Sequence, residues 1–141
     1  DLPEIAKRCE AKKVRSYLTL NTIIYDHDLS VVKTLLTKAK EANITAVIAS
    51  DQAVIAMARS IGMEVHISTQ LNVTNIETIK FYSLFADTMV LSRELSLRQV
   101  KKITEQIEKE QIKGPNGNLV EIEIFGHGAL CMAVSGKCYL S

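Results

Sequence analysis

Apolar residues along this chain alternate between two rhythms, short continuous runs and stripes spaced three or four apart. Positions 1–13 read as the end of a helix. Asp1 is placed to cap it, Pro3 suits its first turn, and Leu2, Ile5, Ala6 and Cys9 share a face. Positions 14–20 then read as a strand. Asp28 opens a helix with Leu29, Val32, Leu35, Leu36 and Ala39 on one side. Positions 45–49 form a short apolar strand. Asp51 is placed to cap the next helix, with Val54, Ile55, Ala58 and Ile61 inward and Gly62 as its stop. Positions 64–67 are a third strand. Thr74-Asn75-Ile76-Glu77 has the form of a capping box for a helix reaching about Leu84. Positions 88–91 are a fourth strand. Ser96-Leu97-Arg98-Gln99 has the same form and opens a long helix to about Gln111, with Leu97, Val100, Ile103 and Ile107 inward. A turn-rich loop at 113–118 precedes a fifth strand at 119–125, with Val120, Ile122 and Ile124 on one face.

Strands this short and apolar are buried on both faces, which predicts a parallel sheet with crossover helices. No dinucleotide fingerprint follows the first strand, and no phosphate-loop motif occurs. The expected fold is therefore α/β, a partial (β/α) TIM-type barrel of about five parallel strands in a single incomplete domain over positions 1–141. The chain begins at Asp1 rather than Met, so a piece of a longer protein is expected. An open arc leaves strand edges unpaired, and self-association is the expected remedy.

Composition narrows the picture only a little. A net charge of +1 gives no electrostatic argument for nucleic acid, membrane or an acidic partner. No apolar run approaches a membrane span, so no membrane association is expected. Three widely spaced cysteines fit a reducing compartment better than a disulfide framework, which predicts a cytoplasmic protein and makes Cys9, in an apolar stripe, an inert buried thiol.

In parallel α/β folds, sites form at the carboxyl ends of the strands. That rule selects Asn21, Thr22 and 25–28 after the first strand, and Ser50 and Asp51 after the second. It selects Ser68, Thr69, Gln70 and Asn72 after the third, Ser92, Arg93 and Glu94 after the fourth, and His127 and Gly128 after the fifth. Asn21, Asp51 and Gln70 are candidates for binding substrate. Arg93, Glu94 and His127 are candidates for catalysis. Arg93 and Glu94 form a charged pair directly off a buried strand, and such a pair needs a partner or a ligand. His127 lies between two glycines, where backbone can approach a ligand closely. His27, flanked by Asp26 and Asp28, reads as part of a solvated turn, and His66 as a packed strand residue with satisfied nitrogens.

The density of reactive side chains peaks in positions 123–141, which hold Cys131 and Cys138. Six residues separate these thiols, wider than a local zinc knuckle. Two thiolates are half of a four-cysteine iron–sulfur site, and the other half would come from beyond Ser141. Spacing alone favours two free thiols in a small-residue loop. Neither HExxH nor GxSxG occurs, nor does a cysteine context of the papain or caspase kind.

The run Glu123-x-Phe125-x-x-Gly128-Ala129-Leu130-Cys131-x4-Gly136-x-Cys138-x-Leu140-Ser141 resembles the complete signature of the collagenase-like U32 peptidase family. Upstream, Tyr17-Leu18-Thr19-Leu20-Asn21, Ala49-Ser50-Asp51, His66-Ile67-Ser68-Thr69-Gln70 and Leu91-Ser92-Arg93-Glu94-Leu95-Ser96 resemble that family's strand-end segments, in the same order. The resemblance covers nearly the whole chain, as the latter part of an N-terminal barrel domain. It implies a peptidase acting on collagen-like substrates, with this piece inactive alone. As the alternative, it implies oxygen-independent hydroxylation of transfer or ribosomal RNA bases, or of a quinone precursor, by iron–sulfur members of the family. By position, Cys131 and Cys138 match the first two of four cluster ligands. No cofactor is expected in this piece alone, and a four-iron four-sulfur cluster is implied for the full-length protein. The implied partner is a peptide or an RNA substrate.

Overall fold

The computed structural model describes residues 1–128, 131 and 133–135. Among the described residues five α-helices and five strands alternate: α1 (Leu2–Ala11), β1 (Tyr17–Leu20), α2 (Leu29–Glu41), β2 (Ala46–Ala49), α3 (Gln52–Ser60), β3 (Glu64–Ile67), α4 (Ile76–Tyr82), β4 (Thr88–Val90), α5 (Leu97–Glu110) and β5 (Glu121–Glu123). The strands lie in one sheet in the order β1-β2-β3-β4-β5, and the registers of β1 with β2, β3 with β4 and β4 with β5 are parallel. Strand order follows chain order without a reversal, so the sheet has no topological switch point of the dinucleotide-binding kind. Sequential parallel strands joined by helices are the connectivity of consecutive barrel strands, as the alternation predicts.

Two compact units divide the chain, Asp1–Val65 and His66–Ser141. In the first, β1 pairs with β2 from Tyr17 opposite Ala46 to Leu20 opposite Ala49. Val47 and Ala49 are fully buried, as are Val54 and Ala58 of α3 and Ala39 of α2. In the second, the register aligns Ile67, Met89 and Ile122 across three strands on one face. Ile67 and Met89 are fully buried, and Ile79, Ile103 and Ile107 of α4 and α5 are buried too. The opposite face carries the row His66, Thr88 and Glu121, followed by Val90 and Glu123. Side chains alternate along a strand with period two, so this separation into an apolar stripe and a polar row follows from the sequence.

Several element ends differ from the pattern. The first strand loses 14–16, because Lys13 turns the chain at φ +55° and the Val14 N–H closes α1 onto the Cys9 carbonyl. The fifth strand starts only at Glu121. Leu119 bridges Lys113 across the turn and the Val120 N–H binds the Ile112 carbonyl, while Ile124 and Phe125 beyond it are exposed. Asp1 occupies the cap position of α1 without a side-chain bond. Asp28 likewise makes no cap bond to α2. It belongs to a 3-10 turn, Asp26–Asp28, and its carboxylate accepts from the Tyr25 N–H. Ile5, Leu35 and Leu97 are exposed although the stripes point them inward. Each sits at the edge of its apolar arc around the helix.

The two capping boxes fare differently. Ser96 and Gln99 form theirs in full. Thr74 and Glu77 do not, because the chain enters α4 one residue later. Asn75 is extended (φ −149°, ψ 166°), and its side chain accepts from the Thr78 N–H.

Candidate functional site

At their carboxyl ends β1, β2 and β3 run directly into polar residues, and β4 does so after Leu91. In the first unit, the Asn21 carbonyl accepts a hydrogen bond from Ser50 Oγ at 3.0 Å. Asp51 follows β2, and its Oδ1 accepts from the Ala53 N–H at 2.7 Å, capping α3 as its position predicts. His27 is exposed, lies 3.6 Å from Asp28 and stacks on Tyr25, which makes it part of a surface turn.

In the second unit, Gln70 lies half-buried in the 3-10 turn Thr69–Leu71, which Ser68 caps. Asn72 then adopts the left-handed conformation at φ +53°. Its Oδ1 accepts from Ser92 Oγ at 2.8 Å, and the Ser92 N–H donates to the Val73 carbonyl. The ends of β3 and β4 are tied together at this point. His66 is 1% exposed, with Nδ1 3.3 Å from Glu123 Oε1 on the same sheet face.

Arg93 and Glu94 follow directly, and both reach the segment after β5. Arg93 Nη2 donates to the Ala133 carbonyl at 2.9 Å, and the Arg93 N–H donates to Ser135 Oγ at 3.3 Å. The Ser135 N–H donates to Glu94 Oε1 at 2.7 Å. The charged pair therefore has a partner in the Ala133–Ser135 stretch. That backbone N–H binds the ionised form of Glu94 and, with the Ser135 hydroxyl and the nearby Arg93 charge, holds the carboxyl below its ordinary value.

Cys131 lies exposed at the start of the same segment. The Arg93 guanidinium and the Ala133 backbone N–H act on its sulfur. Together they push the thiol below its ordinary value of 9.0. A guanidinium and an amide beside a sulfur favour thiolate, the form that attacks electrophiles and binds metals. Cys138 lies outside the described residues. Among the described residues, no group of three or more His, Cys, Asp or Glu is placed to hold a metal ion.

His127 is exposed beyond β5. Among the described residues, a Cβ on Gly126 or Gly128 would meet nothing within 4 Å. Within the second unit, Arg93 and Glu94 are brought to Cys131 by way of Ala133 and Ser135. The strand-end rule found Arg93 and Glu94 but not Ser135. Its one signal is a small polar residue in the cysteine segment, which nothing local separates from a solvated serine.

The whole chain, residues 1–141, matches the model of Peptidase family U32. A protein named collagenase from Porphyromonas gingivalis (strain ATCC BAA-308 / W83) is 55% identical over 141 residues, covering 100% of this chain and 34% of that one. The 23S rRNA 5-hydroxycytidine C2501 synthase of Escherichia coli (strain K12) is 32% identical over 142 residues, covering 100% of this chain and 20% of that one. The tRNA hydroxylation protein P of the same strain is 37% identical over 128 residues, covering 89% of this chain and 26% of that one. This chain thus spans about a third or less of the length of these relatives. No solved structure matches. With the signature at 123–141 in place and a match that runs from the first residue to the last, the chain belongs to Peptidase family U32.

Proposed function

We propose that this chain is the part of a U32 protein that presents Cys131 as a thiolate ligand to an iron–sulfur cluster, and that the whole protein hydroxylates an RNA base without oxygen. The observation that carries this reading is the exposed Cys131 thiol, in a segment that Arg93 and Glu94 hold at the Ala133 carbonyl and the Ser135 N–H. Thiolates hold iron–sulfur clusters, so the donor's chemistry fits the group. Cys131 supplies one ligand and Cys138 would supply a second. When bound, the cluster supplies electron transfer. Relatives named for tRNA hydroxylation and for 23S rRNA 5-hydroxycytidine synthesis support RNA as the substrate class. Asn21, Asp51 and Gln70, each just past a strand end, are the proposed substrate contacts. The reducing conditions that a free thiolate needs favour the cytoplasm. Among the described residues no helix is long and apolar enough to cross a membrane.

Peptide-bond hydrolysis is the second reading, favoured by the 55% identity with a protein named collagenase. It would assign catalysis to Arg93, Glu94 and His127. Against it, Arg93 and Glu94 are already bonded to the chain's own backbone.

Anaerobic purification of the whole protein separates the two. The first reading expects a visible absorption band, with iron and sulfide at cluster stoichiometry, both lost in Cys131→Ala. A colourless, iron-free protein that cleaves gelatin and loses that activity in His127→Ala would overturn it in favour of the second.

A further inference from the structure

The segment that carries Cys131 has no regular secondary structure at its described residues, yet one of them, Ser135, is 3% exposed. Its position must come from elsewhere, and the contacts run to two adjacent residues. Glu94 accepts from the Ser135 N–H, and Arg93 Nη2 donates to the Ala133 carbonyl. These grips are two residues apart along the segment and of opposite sense, one on a donor and one on an acceptor. A single hydrogen bond leaves a segment free to pivot, whereas two at different points fix its rotation as well. The Arg93 N–H bond to Ser135 Oγ adds a third grip. The holding end is itself anchored. The Leu91 N–H binds the Glu123 carbonyl of β5, and the Ser92 N–H binds the Val73 carbonyl.

We propose that Arg93 and Glu94 form a clasp that fixes the backbone around Cys131 at the carboxyl end of β4, with Glu94 a positioning residue for the thiol. Glu94 reaches the segment through the Ser135 N–H, and Arg93 reaches it through the Ala133 carbonyl. The adjacent opposite charges of the clasp offset one another, so the segment is held without a net charge that would repel an anionic ligand or substrate. The proposal deepens the assignment of Cys131 as a ligand and rests on it for one arm of its test.

The test compares Glu94→Ala, Glu94→Gln and wild type in the whole protein, stripped of metal by a chelator and then reconstituted with iron and sulfide. In the stripped protein, peptide-resolved hydrogen exchange reads residues 131–135, and mass spectrometry reads iodoacetamide labelling at Cys131 separately from the other thiols. Loss of a hydrogen bond to a charged acceptor predicts roughly tenfold faster exchange in Glu94→Ala. Glu94→Gln keeps an acceptor oxygen and should recover most of the protection and the wild-type labelling rate. After reconstitution, iron per chain should fall in Glu94→Ala and return in Glu94→Gln, with the melting temperature unchanged in both. Unaltered exchange in Glu94→Ala sinks the clasp. Faster exchange with unaltered Cys131 labelling and iron content leaves a clasp that does not position the thiol, which also overturns the proposal. If wild type takes up no iron, the ligand assignment fails by itself, and exchange and labelling still decide the clasp.

Discussion

Gly114 is glycine because of the carboxylate it faces. A Cβ there would stand 2.5 Å from Asp87 Oδ1 and 2.8 Å from the Asp87 Cα. The second distance is to backbone, so a rotamer change cannot relieve it. Asp87 is buried just before β4. Its Oδ1 accepts from the Asn116 N–H at 2.9 Å, and its carbonyl accepts from the Glu121 N–H at 2.8 Å. One residue therefore shapes the turn at 113–118 and starts β5. Gly114→Ala should destabilise the protein by about 1–3 kcal/mol through overpacking, read from urea unfolding. Asp87→Ala should cost a similar ~1–3 kcal/mol by leaving the Asn116 N–H without its acceptor. A change below the error of the measurement in both variants would refute this account of the turn. Glu94 makes a pH prediction at the same scale. Its carboxyl is depressed from 4.5, first because the Ser135 N–H binds the charged form. A depressed carboxyl contributes order that is fully present above the ordinary value and is lost as pH falls through the lower folded value. The Ser135 amide resonance should therefore titrate with a midpoint below 4.5. A midpoint at or above that value contradicts the bond.

At the scale of elements, α4 separates what the sequence pattern says from what the backbone does. Thr74 and Glu77 have the spacing of a capping box, but Asn75 makes the bond, to the Thr78 N–H at 3.0 Å. Asn75→Ala should cost about 1 kcal/mol and Thr74→Ala close to nothing, compared by thermal unfolding of the two variants. The reverse order would restore the box. The α/β alternation is legible because buried strands and one-sided helices differ in period, and β3 falls on the expected positions 64–67. Strand ends are legible only where side-chain pattern governs them. β1 and β5 come out short because a left-handed Lys13 and the bridge between Lys113 and Leu119 take up their first residues, and backbone turns of this kind leave little trace in hydropathy. The site divides the same way. The carboxyl-end rule finds Arg93 and Glu94, and their charge announces that a partner is needed. That the partner is the backbone of Ala133 and Ser135 follows from long-range packing, which no local spacing encodes.

At the scale of the whole molecule, the sheet poses a problem of edges. β1 and β5 are the outer strands, so among the described residues each presents one edge row of backbone that no other strand flanks. Such a row is a template for another strand. Apolar side chains lie close to both rows. Tyr17 of β1 is 41% exposed, and Ile124 and Phe125, just past β5, are 48% and 62% exposed. Devices that blunt an edge are thin here. β5 presents Glu121 and Glu123 on one face, but no proline interrupts β1 or β5. Backbone pairing and apolar contact thus act in the same direction at the β5 end, whereas charge opposes them only weakly. The isolated 141-residue chain should therefore self-associate. Sedimentation velocity over roughly the micromolar to millimolar range should show a weight-average mass that rises with concentration. Ile124→Lys places a charge beside the edge and should shift that rise to higher concentration, as charged residues do on natural edge strands. A chain that stays monomeric across the range, or an Ile124→Lys variant that associates as wild type does, would show that these edges are already protected.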